Sequence, residues 1–198
     1  MGKTKREGSQ SAPSGITPLL EPLMALQRLL EHFDNQGVIF GGIAASLLGK
    51  PRFTADLDAV ILLRVEDLPK LVDAASEQGI TPRIADAEVF ARKNRVLLLQ
   101  HQNSGININI SLGILPFETE MVERSQNLKV GSLYLRLPTP EDLIILKAVA
   151  HRPHDLTDIQ AIAASNPDLD RERVQFWVEQ FGTDLELPDL WKNISHLL

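Results

Sequence analysis

The chain contains no cysteine, which excludes disulfides, thiolate metal centres and cysteine nucleophiles. No apolar run approaches the roughly 20 residues that a membrane helix needs, and the polar start does not resemble a signal peptide. The expectation is a cytoplasmic protein without a membrane partner. The five histidines are scattered and show no HExxH spacing, so a histidine metal site is not indicated. Positive charge is also short: the formal net charge is −6. Proteins that live by phosphate-backbone contacts gain affinity from counterion release and tend to be basic. Non-specific nucleic-acid binding by the whole surface is therefore disfavoured, which leaves local contact with a single strand or a tRNA end open.

What is present suits an ordinary globular fold. Of the 198 residues, 43% are hydrophobic and 23% charged, enough apolar side chains for a real core. Residues 1–15 are polar, Gly/Ser-rich and basic, and read as a flexible tail. Residues 16–137 mix helix and strand patterns, and residues 138–198 read as helices only. In the first helix, Thr17 stands where a cap would, and Gly37 where a stop would. "RVLLLQH" and "ININISLG" read as adjacent strands, and "LKVGSLYLRL" as a strand or hairpin. "TPEDLIILKAVAH" opens with a threonine cap, a proline at the first helical position and acids in the first turn. Trp177 and Trp191 lie among leucines and valines in the last helices, which points to core packing.

One stretch, "VIFGGIAASLLGKPRFTADLDAVILL", carries the chemistry. Residues two apart in a strand share a face, so Thr54, Asp56 and Asp58 project together. Two neighbouring carboxylates repel, and neither ionises cheaply when half-buried. A divalent cation removes that cost, and Mg²⁺ takes one or two carboxylates plus the phosphates of a nucleotide. Gly41-Gly42 lies between a short strand and a helix, where bare N–H groups and the helix dipole can receive phosphate. Arg52 adds a cation close by, and Thr54 a hydroxyl. Together these fit a phosphoryl-transfer site for a triphosphate and metal.

"GGIAASLLGKPRFTADLD" resembles the GG…R-x-T-x-D-x-D signature of the nucleotidyltransferase superfamily, the DNA polymerase beta-like fold. More narrowly, it is similar to the AbiEii-type proteins that act as toxins in bacterial toxin–antitoxin systems, across roughly residues 37–162. The resemblance implies an α/β (α+β) fold, with a mixed sheet, flanking helices and a helical C-terminal part. It implies a nucleotidyl group moved from an NTP to a hydroxyl acceptor, a tRNA end or a protein, and an antitoxin partner. By the same resemblance, Gly41 and Gly42 match the phosphate turn. Asp56 and Asp58 match the catalytic carboxylates that hold Mg²⁺ or Mn²⁺. Gly42 stands where many relatives have serine, so a phosphate contact falls to backbone, Ser46 or Thr54.

In "LKAVAHRPHDLTDI", Lys147 and Arg152 match the family's nucleotide-phosphate cations, and Asp155 and Asp158 its following acids. Two roles are open to those acids, a direct one and capping of a new helix at N-cap and N3. The family adds a third carboxylate from a neighbouring strand. Here "ININISLG" alternates, with Ile106, Ile108 and Ile110 on one face and Asn107, Asn109 and Ser111 on the other. Asn109 takes the third acid's place. An amide can ligate a metal through oxygen but cannot act as a base. Reduced catalysis, a non-catalytic nucleotide-binding regulator and an interaction module with structural acids are the alternatives that follow.

Overall fold

The computed structural model describes residues 17–198; the tail expected at 1–15 lies outside the described residues. A short 3₁₀ turn, Thr17–Leu19, leads into helix α1 (Leu20–His32). Thr17 therefore begins that turn instead of capping α1, and Gly37 opens strand β1 (Gly37–Phe40) instead of ending the helix. The helix is stopped earlier by Asp34 and Asn35, both at positive φ, a conformation these two residue types tolerate better than most.

Next come α2 (Gly41–Leu48), β2 (Asp56–Ile61), α3 (Leu68–Glu77), β3 (Ile80–Pro82) and α4 (Ala87–Asn94). They are followed by β4 (Val96–His101), β5 (Asn107–Leu112) and α5 (Pro116–Arg124). Strands β6 (Gln126–Val130) and β7 (Leu133–Leu137) form a separate hairpin. The chain closes with helices α6 (Pro140–Ala150), α7 (Pro153–Ser165), α8 (Arg171–Asp184) and α9 (Leu190–Ile194). The expected α/β architecture, a mixed sheet with flanking helices and a helical C-terminal part, is what the structure has.

The main sheet runs β1-β2-β5-β4-β3. Its one parallel pair, β2 with β5, sets Asp56 beside Asn107 and Asp58 beside Asn109. Strand β1 runs antiparallel to β2 and places Phe40 opposite Asp58. The alternation in β5 is realised: Ile108 and Ile110 are fully buried while Asn109 on the opposite face is half-buried. The face carrying Asp56, Asp58 and Asn109 stays partly open. A single cluster of buried side chains runs from Leu23 of α1 through Leu57 and Ile110 to Ile144, Ile159 and Val178 of the C-terminal helices. In α6, Thr139 caps as its sequence suggests, its hydroxyl accepting from the Asp142 N–H at 3.3 Å. Trp177 packs edge-on against Phe117, with ring centroids 5.2 Å apart, as core packing requires.

Candidate functional site

The β1–α2 junction explains its glycines. Gly41 has φ of +70°, and a Cβ there would collide with Asp58 Oδ2. Any side chain would thus be strained by its backbone and blocked by the carboxylate. A Cβ on Gly42 would lie 2.5 Å from Thr54 Oγ1 and 3.3 Å from Arg52 Nη2. The bare turn lets the start of α2 close directly onto β2 and its approach segment. A serine at 42 would compete with the Thr54 hydroxyl for the same space.

Thr54 is 8% exposed, and its hydroxyl donates to the Asp56 carbonyl at 3.2 Å. Ser46 is buried, and its hydroxyl is spent on backbone: its one hydrogen is shared between the carbonyls of Gly42 and Arg52, each 3.0 Å away. It holds the loop that carries Arg52. That guanidinium lies beside Gly42 and grips Asp158 with two bonds of 2.9 Å.

Lys147 and Arg152 sit in the same knot. Lys147 is 4% exposed, and its Nζ donates to Asp155 at 3.1 Å and to Asp158 at 2.6 Å. Arg152 Nε donates to Asp155 at 2.7 Å, and the Arg152 N–H to the same carboxylate at 3.2 Å. Arg152 is itself the N-cap residue of α7, with Pro153 first in the helix. Asp155 therefore caps from N3, and Asp158 lies a turn further on; neither occupies the N-cap expected for one of them. Three cations and two carboxylates alternate in a chain: Arg52, Asp158, Lys147, Asp155, Arg152.

Burial opposes the charge of Asp155, but bonds from Arg152 and Lys147 outweigh it and hold this carboxyl below its ordinary range. Asp158 behaves alike, with Arg52 and Lys147 overcoming burial. Arg152 is correspondingly raised by its bond to Asp155.

Asp58 is different. Its pKa is pushed up, first by burial and then by repulsion from Asp56, with the Asn109 hydrogen bond the main opposing influence. Asn109 Nδ2 donates to Asp58 Oδ1 at 2.9 Å. Asn109 Oδ1 accepts from Arg83 Nη2 at 2.8 Å, and Arg83 Nη1 is anchored on the Leu99 carbonyl at 3.0 Å. Arg83 escapes sequence reasoning because it follows a three-residue strand ending in proline and meets Asn109 only through sheet register.

Phe40, Gly41, Asp58, Leu143, Leu146, Lys147, Ala150, Arg152 and Asp155 line a cavity of about 240 Å³. It brings together the glycine turn, one of the two strand carboxylates and the two C-terminal cations. Among the described residues, no group of three or more His, Cys, Asp or Glu side chains is placed to hold a metal. A cation at this site would rest on Asp56 and Asp58 and draw its remaining ligands from phosphate and water. That donor set suits Mg²⁺ or Mn²⁺ carried with a nucleotide. It would also relieve the repulsion and burial that now disfavour the charge on Asp58.

Solved structures share this architecture. An antigenic nucleotidyltransferase-like protein from Paracoccidioides brasiliensis superposes with a TM-score of 0.52 at 14% identity, over 92% of this chain and 94% of that one. The antibiotic-resistance factor ANT(2'')-Ia superposes with a TM-score of 0.53 at 13% identity, over 91% and 97% of the two chains. At such identities the likeness is one of fold. No curated protein matches the chain. The family model described as a nucleotidyltransferase of unknown function, DUF6036, matches residues 19–179. The chain belongs to that nucleotidyltransferase family.

Proposed function

We propose that the protein transfers a nucleotidyl group from an NTP to a hydroxyl acceptor in a metal-dependent reaction. One observation carries this reading: a carboxylate that is costly to ionise, Asp58, faces a bare-backbone turn and two cations across one cavity. In this reading Asp56 and Asp58 hold the cation, and Gly41 and Gly42 receive phosphate on their N–H groups. Thr54 supplies the nearby hydroxyl. Arg152, whose side chain is 62% exposed, turns part of its guanidinium towards the polyphosphate, and Lys147 contributes charge from within its ion pairs. Ser46 shapes the loop, and Arg52, whose Nη2 lies beside Gly42, adds positive charge at the glycine turn from within its ion pair with Asp158. A bound Mg²⁺ or Mn²⁺ would neutralise phosphate charge and polarise the reacting phosphoryl group.

The acceptor we infer is a hydroxyl on a tRNA end or a protein, with an antitoxin partner and a cytoplasmic setting. The support is the motif's resemblance to AbiEii-type proteins. Thermal melting with each of four NTPs, with and without Mg²⁺, tests binding, since a ligand of the folded state raises the melting temperature. Transfer of label to tRNA, protein or a small-molecule antibiotic tests the acceptor. Transfer that vanishes in Asp58→Ala supports the proposal, and no NTP-dependent shift with any base contradicts it. A second reading, a nucleotide-binding regulator without turnover, is favoured by Asn109, since no acid faces Asp58 from β5.

A further inference from the structure

We propose that this site takes one divalent cation, because Arg83 locks Asn109 as a hydrogen-bond donor to Asp58. The inference deepens the nucleotidyl-transfer reading and rests on it. An arginine only donates and a carboxylate only accepts, so an amide between them has a single satisfactory orientation. Its oxygen faces Arg83 at 2.8 Å and its nitrogen faces Asp58 Oδ1 at 2.9 Å. Both ends of Asn109 are thereby used. The amide oxygen, the one atom that could ligate a metal, is already held by a fixed positive charge. Asp58 Oδ1 already accepts from this amide, and Oδ2 lies on the Gly41 side.

Two cations in one phosphoryl-transfer site sit about 4 Å apart and need carboxylates enough to offset both. Here β5 faces β2 with Asn107 and Asn109 and contributes no acid. Arg83 adds a cation where the second ion's ligand would be needed. Arg83 is thus a positioning residue that acts through Asn109. It also predicts what an acid at 109 would do. An Asn109→Asp side chain keeps its oxygen beside Arg83 Nη2 and forms an ion pair there instead of binding metal.

Equilibrium dialysis of the full chain with Mn²⁺ and a non-hydrolysable NTP analogue counts what is retained, with free Mn²⁺ read by electron paramagnetic resonance. The wild type is expected to retain one Mn²⁺ and one nucleotide per chain. N109D is expected to remain at one Mn²⁺, and R83Q/N109D to rise to two, each variant first checked for a native melting transition. Two ions per nucleotide on the wild-type chain would overturn the inference while leaving nucleotidyl transfer standing. Two on N109D alone, or one on the double variant, would overturn the role given to Arg83. Retention of neither nucleotide nor Mn²⁺ by the wild type would overturn both this inference and the reading beneath it.

Discussion

Asp58 and the pair Asp155–Asp158 are all carboxylates withdrawn from water, yet their surroundings push them in opposite directions. Asp155 and Asp158 are wrapped by Lys147, Arg52 and Arg152, and ionise more readily than free aspartate. Asp58 has a neutral amide on one oxygen and a second carboxylate nearby, and ionises less readily. The first arrangement is complete in itself and ties α6, α7 and the loop before β2 together. The second is incomplete, and gains most from a cation that the chain does not supply. The contrast separates carboxylates that hold the fold from a carboxylate that waits for a ligand.

The largest effect is expected from opening the closed knot. Asp158→Asn removes the partner shared by Arg52 and Lys147. Breaking a buried pair from one side costs about 3–5 kcal/mol, which a denaturant titration would read directly. A smaller loss is expected from Gly42→Ser, whose Cβ would press on Thr54 Oγ1. Overpacking of this kind costs about 1–3 kcal/mol. Adding Thr54→Ala should recover most of that loss; a double variant no more stable than the single would contradict the proposed competition for space.

Asp58→Asn should move the other way. Removing a charge that burial opposes should stabilise the ligand-free protein by about 1 kcal/mol while abolishing the response to Mg²⁺ and NTP. The pH dependence should sharpen the contrast further. The depressed pKa values of Asp155 and Asp158 give stability that is present above the unfolded value of about 3.9. That stability is lost as pH falls through their folded values. The raised pKa of Asp58 has the reverse sign: its contribution is full below about 3.9 and is lost as pH rises through the folded value. The stability advantage of Asp58→Asn should therefore grow as pH rises from about 4 through the folded value of Asp58, and level off above it. A constant difference across that range would contradict the account of Asp58.

The features legible in the sequence were those encoded over a few neighbouring positions. The Asn/Ile alternation of β5, the capped start of α6 and the glycine turn at the β1–α2 junction each depend on local spacing; the first two are found where the pattern puts them, and the glycines form the first residues of α2 instead of preceding it. The motif's resemblance implied that Asn109 lies on a strand neighbouring Asp58, but the parallel pairing of β2 with β5 that sets the two side by side was not legible. Strand β3 and Arg83 were not legible. A three-residue strand ending in Pro82 has too few positions to show alternation, and Arg83 meets Asn109 across 26 positions of sequence. The helix start at Pro153 also shifted the expected caps, because proline took the first helical position and left Arg152 as N-cap.

The most direct test of the central claim is a melting comparison of wild type and Asp58→Asn, each alone and with Mg²⁺ plus NTP. The account predicts a crossing: the variant melts higher when alone and lower when the ligands are present. Parallel behaviour of the two proteins, with equal ligand shifts or none, would contradict the claim that Asp58 is held at a cost to the fold in order to bind a cation and polyphosphate.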